Sequence, residues 1–222
     1  MLTVTFDANA TADVTANGVT SITSANLTVG SGSNRALVVQ LGFSLQTLSA
    51  LAVTWDFGGS AQACAVVPNA AANRSTTPGR SELWGLVNPI SGAKTLKAAW
   101  TGSSDVVMNA VAWRNVDQTG GATSFPHGTS ATGTSTTPSV TVTSAVGNAT
   151  MDCVTDAATL SAPTKTQTHI DLSPATISSS GSRAAGAATV THAWTQDTNT
   201  PWVSVGCDIQ GAVDRFWILG PH

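Results

Sequence analysis

Short runs of β-branched and apolar residues recur about every eight to fifteen residues along the chain, separated by clusters of Gly, Pro, Asn and Ser. That spacing is the signature of an all-β chain. The runs predict strands over residues 2–6, 25–29, 35–44, 51–56, 62–67, 80–87, 139–144, 149–154, 167–172, 187–195 and 202–210. Residues 94–101 and 105–116 read as a hairpin around Gly102-Ser103-Ser104. The polar stretches 68–79, 117–138 and 178–182 read as solvated loops, and 45–51 as a single helical turn. No segment has a helical period with caps, and no internal repeat has a fixed period.

Alternation assigns the buried faces. Leu96, Ala98 and Trp100 fall on one side of their strand, opposite Thr95, Lys97 and Ala99. Ala188, Val190, His192 and Trp194 share a face opposite Ala187, Thr189 and Thr191. Successive side chains of a strand point to opposite faces, so these are half-buried antiparallel strands. Threonine on the outward positions suits the pleat while its hydroxyl faces water. The expected fold is an all-β, antiparallel, jelly-roll-like β-sandwich with long Thr/Gly/Ser loops. Residues 1–222 form one domain in this reading, with 1–17 an N-terminal arm or added strand and 211–222 a tail.

Composition narrows the function classes. Only 9% of the 222 residues are charged, against roughly a quarter in an ordinary soluble domain. Glu occurs once, at Glu82, and Lys three times, at Lys94, Lys97 and Lys165, so the usual surface of a helical bundle is missing. A nucleic-acid binder needs a dense Lys/Arg stripe to neutralise phosphates, and none is present. No run of eighteen apolar residues predicts a membrane span, and residues 1–7 do not read as a signal peptide. Cys64, Cys153 and Cys207 sit among small or apolar neighbours and read as free buried thiols, with one bridge among them as the alternative.

Candidate chemistry is sparse. His127, His169, His192 and His222 have no zinc-site spacing, and no nucleophile elbow, phosphate loop or calcium loop occurs. His192 reads as a core histidine, and Asp152 and Asp156 as a solvated pair at a strand end. The sequence therefore predicts no catalytic residue, no metal ligand and no cofactor. Sequons at Asn9, Asn26, Asn73 and Asn148 are about as many as chance supplies in so hydroxyl-rich a chain. Of Trp55, Trp84, Trp100, Trp113, Trp194, Trp202 and Trp217, most lie within alternating strands and read as core. Trp202 and Trp217 are the surface candidates. Phe216, Trp217, Ile218 and Leu219 form the one apolar cluster outside regular patterning, read either as a last strand on the core or as a docking contact. Trp202 with Phe216–Leu219 is thus the candidate interface.

A resemblance joins this reading through residues 33–39 (SNRALVV), 53–59 (VTWDFGG), 83–95 (LWGLVNPISGAKT), 110–118 (AVAWRNVDQ), 150–154 (TMDCV) and Ala193-Trp194. Together they resemble a jelly-roll-like β-sandwich module of bacteria and phages, found in virion structural proteins of tailed phages and in some bacterial surface proteins. The match runs from about Gly18 to Gln210. After Trp113 the module usually reads Gly-Val-Asp-Gln, whereas here Arg114-Asn115 precede Val116. The matched residues are turn and core positions, so the resemblance implies a fold and a setting and brings no catalytic residue.

Two function classes follow. One is a non-enzymatic virion protein made in the host cytoplasm: a capsid decoration or cement protein, or a fibre or tail component. It would contact the major capsid or tail protein and assemble as a symmetric homo-oligomer such as a trimer. The alternative is a carbohydrate-binding or adhesive module of an extracellular or cell-surface protein, with a glycan as partner. Neither predicts a nucleic-acid or membrane partner.

Overall fold

The computed structural model describes residues 1–9, 14–24, 26–45, 47–161, 163–172 and 177–213. Its strands are β1 (Thr5–Asn9), β2 (Val14–Thr23), β3 (Leu27–Val29), β4 (Ala36–Phe43), β5 (Ser49–Trp55), β6 (Gln62–Ala63), β7 (Ala65–Asn73), β8 (Arg80–Val87), β9 (Gly92–Lys94) and β10 (Leu96–Arg114). They continue with β11 (Thr129–Ser135), β12 (Ser139–Thr143), β13 (Ala149–Asp156), β14 (Thr166–Leu172), β15 (Ser178–Ala185), β16 (Thr189–Ala193) and β17 (Thr200–Ile209). The helical element among the described residues is a 3-10 turn, Gly121–Ser124. No helix there is long and apolar enough to cross a membrane.

All strand pairings are antiparallel. A large sheet runs β6-β5-β10-β4-β8-β7, with β1 and β2 also paired to β10. A second sheet runs β11-β17-β13-β15-β14, and two ribbons, β12-β16 and β3-β9, stand apart. The all-β, jelly-roll-like sandwich is the observed architecture.

Strand β10 organises the large sheet. Lys97, Ala98 and Ala99 pair with β2 on one edge and β5 on the other, while Val106, Val107 and Met108 pair with β2 and β4. The strand turns a corner between those blocks, where Gly102 takes φ +103° and the β2 register slips twice. The sheet therefore curls over its own core of Leu37, Leu41, Phe43, Trp55, Leu96 and Trp100. Its other face packs on the second sheet through Val38, Leu83, Val111 and Trp113, joined by Phe125 from the end of the 3-10 turn, against Met151, Cys153, Val205 and Ile209. Every residue of β4, β13 and the stretch from Trp202 to Ile209 of β17 is buried, because both sheets are covered on both faces.

The covering of the second sheet is the ribbon β12-β16. Val140, Val142, Val190 and His192 face inward, and Thr141 and Thr191 meet outside, Oγ to Oγ at 2.9 Å. Gly206 of β17 lets the ribbon approach, since a Cβ there would lie 2.6 Å from Val142 Cγ2.

Five expectations are corrected. The Gly102-Ser103-Ser104 signal marks the bend of one 19-residue strand, not a hairpin. Residues 68–79 are not all loop: β7 carries Pro68 by slipping register between Val66 and Ala71. Within 117–138, Thr129–Ser135 is strand β11, the small-residue partner of β17. Residues 178–182 are not solvated: Ser178, Ser179, Ser180 and Ser182 are buried in β15. Small side chains are needed there, because a Cβ on Gly181 would strike the Gln40 amide. In place of the helical turn expected over 45–51, Ser49–Leu51 open strand β5 and Leu45, Thr47 and Leu48 carry no helix; strand β2 runs beyond the arm or strand expected over 1–17, as far as Thr23.

Trp100, 6% exposed, stands edge-on to Phe43 with ring centroids 5.0 Å apart. Trp100→Ala will cost about 3–5 kcal/mol in urea unfolding; a variant as stable as the parent would refute the assigned face. Gly206→Ala will cost about 1–3 kcal/mol through the ribbon it pushes away.

Candidate functional site

Polar chemistry gathers in the layer between the second sheet and the ribbon. Alternation along β13 sends Met151 and Cys153 to the apolar core and leaves Thr150 and Asp152 facing β16. Asp152, fully buried, accepts at Oδ1 from the Ser182 N–H (2.6 Å) and the Ser182 hydroxyl (2.8 Å). Its Oδ2 accepts from Trp194 Nε1 at 2.7 Å. Ser182 Oγ also lies 2.8 Å from His192 Nδ1, and His192 Nε2 is 3.0 Å from Thr150 Oγ1.

The Ser182–Asp152 bond orders the network. Ser182 donates to Asp152 and so accepts from His192 Nδ1–H; with the imidazole kept neutral by burial, Nε2 accepts from Thr150. Burial holds His192 below its ordinary pKa, with Lys165 adding to the effect and the Asp152 charge opposing it. Burial pushes Asp152 up, against the pull of His192 and its three donors. Asp152 and Asp156 are thus not the solvated pair expected from sequence; both are fully buried. Burial, with Asp197 nearby, raises Asp156 to about 7.

These residue types include Ser, His and Asp, yet the order differs from a hydrolase. In a catalytic triad serine faces Nε2 and the acid faces Nδ1. Here Ser182 sits between the acid and Nδ1, Nε2 is taken by Thr150, and all four groups are 0% exposed. The constellation ties the ribbon to the sheet.

A second buried acid, Asp208, continues the layer. It accepts from Ser144 Oγ (2.5 Å) and Asn148 Nδ2 (2.7 Å), while Asn148 Oδ1 accepts from the Gly211 N–H (3.0 Å). The lone glutamate, Glu82, is 1% exposed, pairs with Arg80 and accepts from Trp84 Nε1 at 2.6 Å. Asp152, Asp208 and Glu82 are thus each held by two or more donors, as the desolvation of a carboxylate requires, whereas Asp156 accepts only the Ala158 N–H at Oδ1.

Cys64, Cys153 and Cys207 are free and buried, as expected. Burial raises all three thiols, Cys64 and Cys153 to about 12, which leaves them poor nucleophiles. Among the described residues no three His, Cys, Asp or Glu are grouped to hold a metal. Trp202 is not a surface residue: it is 7% exposed, its ring covers Gly133, and Nε1 donates to Ser135 Oγ at 3.0 Å. Trp55, Trp100, Trp113 and Trp194 are also buried. His127 stands exposed in a turn at φ +55°. Phe216, Trp217, Ile218, Leu219 and His222 lie outside the described residues.

At one end of the sandwich an open groove of about 610 Å³ runs between Leu2, Asn34, Asp117, Gln118, Gln210 and Val213. No local pattern marks it, because it joins segments more than 200 positions apart. The first residues are laced into this end: Leu2 N–H donates to Ala212 O (2.8 Å) and Val4 N–H to Gly147 O (2.7 Å).

His169 is 4% exposed and held neutral by burial, with its pKa lowered to about 3. The native chain therefore resists a proton that the unfolded chain takes up below about pH 6.5, and the stability is lost as pH falls. Between pH 6.5 and 5 the parent should lose up to about 2 kcal/mol more than His169→Gln in urea titrations. Parallel pH profiles would refute the assignment.

No family model and no curated protein matches this chain. Three solved structures with partial likeness are variants of the Bacillus subtilis oxalate decarboxylase OxdC: the S161A, SENS161-164DSSN and DEL162-163 mutants. Each is 10% identical, covering 93%, 96% and 95% of this chain and 78%, 78% and 79% of theirs, with TM-scores of 0.26, 0.27 and 0.27. At those values no residue role passes from them to this chain.

Proposed function

We propose that the protein is a non-enzymatic structural component of a tailed-bacteriophage virion, a capsid decoration or cement protein or a part of the fibre or tail. It acts through symmetric protein–protein contacts with copies of itself and with the major capsid or tail protein. The observation that carries this reading is the placement of the polar chemistry. The Asp152, Ser182, His192 and Thr150 side chains are fully buried and spent on holding strands together. What faces solvent on the ribbon is Thr, and the chain as a whole is 9% charged. Few Lys and Arg also leave few sites for trypsin-like proteases, which suits a particle surface. The resemblance over residues 18–210 to virion β-sandwich modules supports the same setting.

The glycan-binding alternative needs an exposed aromatic face. Five of the six described indoles are buried, and the half-buried Trp84 is anchored to Glu82, which weighs against it.

Mass spectrometry of purified particles from cells producing the phage should find this polypeptide in stoichiometric ratio to the capsid or tail protein. Its absence from particles, or saturable binding on a glycan array, would overturn the proposal.

A further inference from the structure

We infer that the end of the sandwich at Met1, Val146 and Val213 is a self-association surface whose occupant is a second copy of this chain, seated through residues 216–219. The inference rests on the structural reading above and names the contact that reading requires.

Large exposed hydrophobic residues are few, and they concentrate here. Of the seven in the described structure, Met1 (61% exposed), Val146 (86%) and Val213 (65%) belong to this end. Met1 lies against the backbone beside the other two: a Cβ on Gly147, next to Val146, would lie 3.8 Å from Met1 Sδ, and one on Gly211, two residues before Val213, would lie 3.1 Å from Met1 Cγ. Contiguous exposed apolar surface of this kind marks an interface. The groove opens beside it, with Leu2 and Val213 on its wall.

Residues 214–222 read Asp-Arg-Phe-Trp-Ile-Leu-Gly-Pro-His. Four consecutive large apolar residues have no polar side at a period of either 2 or 3.6. A groove on the same molecule covers one side of such a segment and leaves the other in water. A second copy, bringing its own apolar end, covers the remainder. Charge agrees with this pairing: Asp117 is the one charged residue of the groove wall, and Arg215 directly precedes Phe216.

Reach sets the geometry. Phe216 lies three residues past Val213, so it extends about 10 Å at most from the groove wall. A partner's groove within that distance must be pressed against the same end, so like ends meet. Such a contact closes on itself and yields a defined oligomer rather than a filament.

The test is light-scattering mass of the full chain from about 1 to 100 µM, with three variants. Val146→Asp lies on an 86% exposed side chain and leaves the fold intact. Trp217→Ser removes one apolar anchor, and Asp117→Arg is measured alone and together with Arg215→Asp. The full chain should be a discrete oligomer. Val146→Asp and Trp217→Ser should each weaken it at least tenfold with an unchanged thermal midpoint. Asp117→Arg should weaken it, and the double charge reversal should restore it. A monomer throughout the range, or an oligomer indifferent to Val146→Asp, overturns the inference. A monomeric chain that is nonetheless found in particles would sink this contact alone and leave the virion reading standing.

Discussion

One buried carboxylate sets the terms for the outer half of the molecule. Asp152 sits in the middle strand of a sheet covered on both faces, where an unpaired charge costs several kcal/mol. It is tolerated because Ser182 and Trp194 deliver three hydrogen bonds to it, and those donors come from β15 and the segment after β16. His192 and Thr150 extend the same chain of bonds across to the ribbon. The ribbon is therefore registered by directional bonds, while Val140, Val142 and Val190 supply the non-directional part of its packing.

The low charge of the chain acquires a physical cause from this arrangement. Three stacked layers leave little outward surface per residue on the inner strands, so β13 and β17 need no Lys or Glu at all. Small residues then set the spacing: Gly42, Gly181 and Gly206 each lie where a Cβ would meet a facing side chain closer than 3 Å. Serines on β15 do similar work while their hydroxyls bond back to the sheet, as Ser179 does to Val154 O at 3.0 Å.

Alternation made much of the fold legible. Leu96, Ala98 and Trp100 could be placed inward because period 2 reports a half-buried strand directly, and Arg80–Val87 emerged with its bounds unchanged because breakers flank it on both sides. The same signal vanishes where both faces are buried. The run Ser178–Ser182 has a loop's composition and a core strand's environment, since close-packed layers and loops both select small residues. Trp202 next to Pro201 suggested exposure, but β11 supplies Gly133 beneath its ring. The Asp152 network was illegible for a simpler reason: its members are spread from Thr150 to Trp194, and only the pairings of β13, β15 and the ribbon bring them together. The groove and its apolar flank depend likewise on contacts between the two ends of the described chain.

The Asp152 bonds fasten the ribbon as a separate layer. Native-state hydrogen exchange on the full chain and on Asp152→Asn tests this fastening most directly, because the amide substitution sets a donor against Ser182 or Trp194. The paired amides of β12 and β16 should lose at least tenfold protection while those of β4 and β8 keep theirs. Unchanged ribbon protection, or an equal loss across β4 and β8, would contradict it.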